Sequence, residues 1–486
     1  MSDVLRVEVA SHDVRMTLRI SRIAAYIRDH FVLAGRSPPA RGAAFHIRIS
    51  SSSGFNHIQH RLAERNHMPE NTPNPIPDTT TPEPPSTYID RLTPIAAQLW
   101  QRGWDRLFIP EMNLFYDYVS SYDPQTRFDH LPTPDEIQRR YPNPNGWSSG
   151  MEDSVINGGV MLAAACDRFA ATGEEHMRTA ATQIFEGLVR CSTHSPEPGM
   201  ILRSISPRDG TSYFPETSRD QLTHFTHGLW RFHHSPLASD PQKERCRLLM
   251  THLCERLARR VIPANDYHFG REDGTPGLVD QMWNVAPHEM PRLPMIYAAA
   301  WDITGDTRWR DLYQTFAREA AEHASRLNIT HYGNCYALFQ HQASMETLAA
   351  IEDQDDALRA VWHREMNVIA DYMPAYQDNF RNYKPVDVTT INMDFRLMPC
   401  HEEFANSDYG HLGVFPDGML KSEFRPLREL GESILVRLMA PNADLNAHQQ
   451  HLLAQAMTEV NHDLAFTYAM LYPQAAFWRY AANQQS

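Results

Sequence analysis

The sequence predicts an all-α protein, a ring of about six helical hairpins closed as an (α/α)6 barrel, with short β-hairpins in the long loops at its active-site face. Three observations predict it. From Tyr88 onward, apolar residues recur at the 3.6-residue period of amphipathic helices. A turn motif repeats: Thr172-Gly173-Glu174 and Thr304-Gly305-Asp306 place their acids 132 residues apart, with Asp240 midway between them. A helical hairpin repeated along the chain produces such a period. Finally, short turns alternate with long connections at 192–218, 262–287, 328–339 and 373–426. In an antiparallel array this gathers every long loop on one end, where function concentrates.

The elements follow in order. Residues 1–68 carry ten arginines against five acids and lack a sustained period, so they read as a basic arm of disordered composition. Residues 69–87 hold seven prolines and read as an extended linker. The periodic segments are then Asp153–Phe169, Glu175–Cys191, Arg219–His233, Gln242–Val261, Arg292–Ile303 and Trp309–Leu327. Gln340–Glu352, Ala357–Tyr372, Leu427–Met439, Asn446–Val460 and Gln474–Ala482 continue them. Glycine in the Thr-Gly-acid turns suits the residue after a helix, and the acid suits the start of the next. Gly199–Ile205 and Ser212–Pro215 could pair as strands across Asp209-Gly210. The barrel domain is therefore expected over 88–486.

Composition excludes several classes of function. Of 486 residues, 45 are basic and 59 acidic, a net charge of −14, which opposes general nucleic-acid binding. Without the basic arm, the remainder carries −19. No apolar run approaches the roughly 18 residues of a membrane helix, and no signal-peptide pattern opens the chain. The cysteines Cys166, Cys191, Cys246, Cys254, Cys335 and Cys400 are scattered, and read as free core thiols in a cytoplasmic protein. Glycine-rich nucleotide loops are absent, so no cofactor is expected.

The expected inner helices begin with acids at a regular interval: Glu152-Asp153, Asp220 and Glu289. An acid in a first turn can simply cap its helix or complement the dipole. Three in register suggest carboxylates at similar depth around one mouth, the arrangement that glycosidic hydrolysis requires. Arg219 offers a planar fork beside Asp220, His224 lies one turn further on the same face, and Arg292 lies near Glu289. His227 and His233 extend the histidine pattern, but no ligand motif accompanies them and no metal is expected. The preceding loops carry aromatics beside polar residues: Trp147, Tyr213, Trp283 with His288, and Tyr332. Such faces stack on sugar rings while polar neighbours address hydroxyls. Gly146-Trp147-Ser148-Ser149-Gly150 spells the serine-hydrolase elbow Gly-x-Ser-x-Gly. That elbow needs a strand before it, and Tyr141-Pro142-Asn143-Pro144-Asn145 excludes one.

With acids at the starts of successive helices in a hairpin ring, the chain resembles the six-hairpin glycosidases. These include the unsaturated glucuronyl hydrolases (glycoside hydrolase families 88 and 105) and the β-glucuronidase-type family 154. The resemblance spans about residues 90–480. Asp153 and Asp220 are similar in order, context and spacing to the Asp pair facing the sugar in the glucuronyl hydrolases. It implies a hydrolase acting on uronic-acid-containing saccharides, with Asp220 as general acid and Asp153 or Glu152 as the second carboxylate. Arg219 or Arg292 would pair with the substrate carboxylate. Alternatives on the same helices are a polysaccharide lyase, with Tyr213, His224 or His288 as base, and a non-catalytic sugar-binding protein.

Overall fold

The computed structural model describes residues 81–329, 334–398 and 420–485. The basic arm, most of the proline-rich linker, Tyr332 and Cys400 lie outside the described residues. Everything described belongs to one compact unit within Asn66–Ser486.

Twelve long helices run through the described residues: α1 Pro85–Leu107, α2 Ser154–Thr172, α3 His176–Thr193, α4 Arg219–His234, α5 Asp240–Arg260 and α6 Arg292–Thr304, then α7 Thr307–Ala324, α8 Cys335–Ile351, α9 Asp356–Tyr372, α10 Arg425–Met439, α11 Ala447–Thr458 and α12 Leu471–Asn483. The even-numbered helices form the inner ring. α2 packs on α4, α4 on α6, α6 on α8, α8 on α10, α10 on α12, and α12 returns to α2. The odd-numbered helices lie outside them, with α1 against α12 completing the outer layer. The molecule is thus an (α/α)6 barrel. No helix among the described residues is long and apolar enough to cross a membrane.

Local chemistry explains the punctuation. Gly173 and Gly305 end α2 and α6 in the left-handed conformation, at φ 67° and 73°. Asp306 and Asp355 cap α7 and α9 through their side chains, and a Ser239/Gln242 capping box opens α5. Where α2 and α4 cross, Gly159 lies against the His224 backbone and Gly228 against Gly159. Any side chain there would hold the two inner helices apart.

Two expectations are corrected. The prolines of the linker do not stop at a coil. Pro84 is the N-cap and Pro85 the first residue of α1, where a missing N–H costs nothing. Pro94 lies inside α1 and interrupts the pattern by which that helix would have been read. Gly199–Ile205 and Ser212–Pro215 are not strands; they meet through a Ser206 N–H donating to the Ser212 carbonyl at 2.7 Å. The described strands, β1 Phe108–Ile109 and β2 Leu114–Phe115, pair antiparallel in the loop after α1. Cys166, Cys191, Cys246, Cys254 and Cys335 are free and buried, as expected.

The outer and inner layers close around Arg168 of α2. Its guanidinium lies 5.4 Å from the Trp100 ring of α1 and 4.8 Å from the Trp478 ring of α12. At the far end of the lumen, Arg231 reaches Asp167 at 2.5 Å and Glu346 at 3.8 Å, while Arg479 reaches both acids. His227 joins Glu346 at 2.8 Å. These side chains project from α2, α4, α8 and α12 and close the base of the barrel.

Candidate active site

Every long loop precedes an inner helix, so the six inner N-termini share one mouth. The segment before α2 is fixed from below. The Asp117 carboxylate accepts the backbone N–H groups of Glu152 at 2.6 Å and Asp153 at 3.0 Å. Asp117 is itself anchored, its N–H donating to Gly150 and its carbonyl accepting from Tyr468. Asp153 stands at the N-cap of α2 but makes no capping bond with its side chain. Instead its Oδ1 accepts from Gln221 at 3.1 Å and Arg203 at 3.4 Å, and its Oδ2 accepts from the Tyr468 hydroxyl at 3.0 Å. The Glu152 carboxylate takes the Ser148 N–H at 3.1 Å, and its backbone carbonyl takes Gln221 at 3.0 Å. Gln221 therefore ties the start of α4 to that of α2.

In α4 the capping is done by Ser218, whose hydroxyl accepts from Gln221 N–H. This frees Asp220 from the bland role open to an acid in a first turn. Asp220 pairs with Arg292 of α6, whose other amino group donates to Gln340 of α8 at 2.6 Å. Arg219 pairs with Glu289 at 2.5 Å. Both arginines expected to seize a substrate carboxylate are thus engaged with acids of the protein. His224 is buried one turn below Asp220, its ring 5.0 Å from Phe339 and its Nδ1 without a partner among the described residues. His288 sits beside Glu289, and its carbonyl accepts from His341 Nδ1 at 2.9 Å.

The opposite side of the mouth comes from α8, α10 and the approach to α12. Arg428 donates to Glu432 at 2.7 Å and to the Tyr468 hydroxyl at 2.5 Å. The rings of Tyr336, Phe424, Tyr468 and Tyr472 surround its guanidinium at 5.0–5.6 Å. A continuous chain Glu432–Arg428–Tyr468–Asp153 therefore runs around the wall. Tyr336 is 37% exposed although it feels the charges of Asp220, Arg428, Glu289 and Arg292. Access to solvent amid inward-facing charges is the signature of a cavity wall.

The carboxylates are not electrostatically equivalent. Burial, then the Asp153 charge, lifts Glu152 to about 7, despite the opposing pull of Arg203. Burial also pushes Asp220 upward, but Arg292 and Arg219 outweigh it and hold Asp220 below its ordinary value. Glu289 is likewise held down, with Arg219 overcoming burial. Burial and the charges of Asp153 and Glu152 raise Asp117 well above the usual carboxylate range. Burial lowers His288 to about 4 and His224 well below an ordinary histidine, leaving both neutral near pH 7. The assignment of Asp220 as the proton donor is therefore opposed by its surroundings: two guanidinium groups favour its anion.

The expected residues divide cleanly. Glu152, Asp153, Arg219, Asp220, His224, His288, Glu289 and Arg292 all lie at the mouth or directly beneath it. Trp147 is half-buried in the loop five residues before Glu152, its backbone held by Asn143. Trp283 instead is buried 4.6 Å from Phe316 and staples its loop to α7, because its whole ring finds apolar cover there. Tyr213 bonds Glu272 at 2.7 Å and packs edge-on against His194, away from the acids. Tyr332 lies outside the described residues. No strand precedes Ser148, which occupies a turn at φ 64°. Among the described residues no His, Cys, Asp and Glu groups are placed to hold a metal.

Residues missed from the sequence are Asp117, Arg203, Gln221, Tyr336, Gln340, Tyr468 and Tyr472. A helical stripe carries some of the signal. Positions 472, 475 and 479 of α12 share one face, with Ala475 and Arg479 lining the lumen, and Tyr468 lies in the turn just before that helix. Asp117 and Arg203 sit in irregular loops and left no periodic trace.

No known family model matches the chain, and no curated protein matches it in sequence. Among solved structures, it is similar to cellobiose 2-epimerase from Spirochaeta thermophila, at 14% identity over 81% of this chain and 86% of that one, with a TM-score of 0.39. It is also similar to a reducing-end-xylose releasing exo-oligoxylanase complexed with xylose, at 14% identity over 84% of this chain and 96% of that one, TM-score 0.39.

Proposed function

We propose that the protein is a glycoside hydrolase acting on uronic-acid-containing saccharides, with Glu152 and Asp220 as its working carboxylates. One observation carries the reading: two acids at one mouth are displaced in opposite directions, Glu152 up to about 7 and Asp220 down. Such a separation assigns the acid and the base in two-carboxylate chemistry. Glu152, protonated near neutrality, donates to the glycosidic oxygen as that bond breaks. Asp220, kept anionic by Arg292, activates water or attacks the anomeric carbon. Asp153 is then a positioning residue: three donors occupy its oxygens, and its charge keeps the Glu152 proton in place. This exchanges the roles first expected of Asp220 and its partner.

A protonated carboxyl suits hydrolysis better than elimination. A lyase base on Tyr336 is disfavoured, because burial and Asp220 push its phenol up to about 12. The test is a screen of oligosaccharides with mass spectrometry of the products. Glu152→Gln and Asp220→Asn should each lower turnover by about a thousandfold, within the range for loss of a general acid or base. Wild-type turnover by either variant would overturn the assignment. An unsaturated product formed from a saturated substrate would replace hydrolase by lyase.

A further inference from the structure

Resting on that reading, we infer that Arg428, with Tyr336 beside it, is the group that selects an anionic substituent on the substrate. Most of the cations around the mouth are already committed to partners within the protein. Arg219 is committed to Glu289, and Arg292 to Asp220 and Gln340. Arg203 donates to the Glu152 carbonyl and to Asp153. Arg428 uses Nε on Glu432 and Nη1 on Tyr468. Its Nη2 has no partner among the described residues, and it is absent from the buried atoms left without one. The side chain keeps 13% of its surface accessible. One edge of a rigid, permanently charged fork therefore remains at the mouth, held in place by its other two nitrogens.

The surroundings fit a ligand better than a purely structural role. Four aromatic rings enclose Arg428 and exclude water from its flanks, which strengthens any charge pairing made there. Tyr336 stacks beside the guanidinium while more than a third of it stays exposed. An aromatic ring open to a cavity suits the apolar face of a pyranose. A sugar on Tyr336 would present an exocyclic carboxylate or sulfate to Nη2. Charge-assisted bonds to such oxyanions are the strong ones. Arg428 also acts on Asp153 through Tyr468, so the selector and the catalytic acids share one wall.

The experiment compares kcat/KM for a glucuronate-terminated oligosaccharide, its carboxyl-reduced neutral counterpart and a sulfated neutral counterpart. Wild type should favour an anionic member, and the favoured one tells carboxylate from sulfate. Arg428→Gln should reduce that anionic-to-neutral ratio at least about tenfold, the scale of one lost hydrogen bond to a charged group. Arg428→Lys, which keeps the charge but not the fork, should fall between them. Tyr336→Ala should weaken the substrates alike and keep the ratio. A purely structural role would lower all the rates together. An unchanged ratio in Arg428→Gln, or no anionic preference in wild type, overturns the inference. If Arg428→Gln does not fold, binding of the same sugars to Glu152→Gln, which leaves Arg292 paired with Asp220, in the presence and absence of competing sulfate decides it: equal affinity for the neutral and anionic sugars overturns it. Failure of the hydrolase reading looks different, with Asp220→Asn and Glu152→Gln retaining turnover.

Discussion

Glu152 and Asp220 differ because of what surrounds each carboxyl, and this gives the site a pH dependence with a definite sign. Catalysis should fall as pH rises through about 7, where Glu152 loses the proton it donates. The pH profile of kcat/KM reads this limb directly. Asp153→Asn should move it to lower pH, because the Asp153 charge is the largest cause after burial. The same shift has a consequence for stability. The folded carboxyl binds its proton more tightly than the ordinary value of 4.5, so its contribution is complete below 4.5 and declines as pH rises through about 7. Glu152→Gln should remove that part of the slope, measured by thermal denaturation at a series of pH values. At this scale the sequence was partly legible. Regular spacing marked Asp153, Asp220 and Glu289. The roles were not legible, because Asp220 is set by Arg292, 72 residues away, and Glu152 by how deeply its loop is folded.

At the scale of the element, eleven of the twelve long helices could be read from apolar period, most clearly the outer ones, which bury one stripe. The start of α8 was placed late. That helix is buried on nearly every side, so the contrast between faces that defines a period is missing. The long mouth loops resisted reading because aromatic residues there can either bind or staple: Trp283 staples. The approach of α2 and α4 yields a sharper prediction. A methyl group at Gly228 would lie 2.7 Å from the Gly159 carbonyl oxygen, in backbone that cannot step aside. Gly228→Ala should cost about 1–3 kcal/mol, the usual range for overpacking, and lower the denaturation midpoint. Asp117 serves the neighbouring end of α2. Asp117→Ala leaves two buried N–H groups without an acceptor, and should lose about 1–3 kcal/mol together with much of the activity.

For the whole molecule, the base of the barrel is the counterpart of the mouth. Asp167, Arg231, Glu346 and Arg479 tie together four of the six inner helices with paired charges. Burial raises Glu346, but Arg479, His227 and Arg231 outweigh it and hold its carboxyl far below the ordinary value. Its contribution is therefore present above 4.5 and is lost as pH falls below that value. Glu346→Gln leaves Arg231 and Arg479 sharing the single charge of Asp167 and should cost about 3–5 kcal/mol, as breaking a buried pair does. The deficit should show in denaturant unfolding at neutral pH and shrink in acid. The ring itself was legible from the repeat and the alternating connections, but its point of closure was not, because α1 escaped notice.

That closure places a condition on how the protein comes into being. The Arg168 side chain lies between tryptophans of α1 and α12, the first and last of the twelve helices to be synthesised. Until α12 emerges, a growing chain can form only an open arc, with the inner face of α2 and the flank of α1 wet. A chain truncated before Leu471 should therefore leave the apolar flanks of α1, α2 and α10 uncovered, and lose the cooperative unfolding transition of the closed ring.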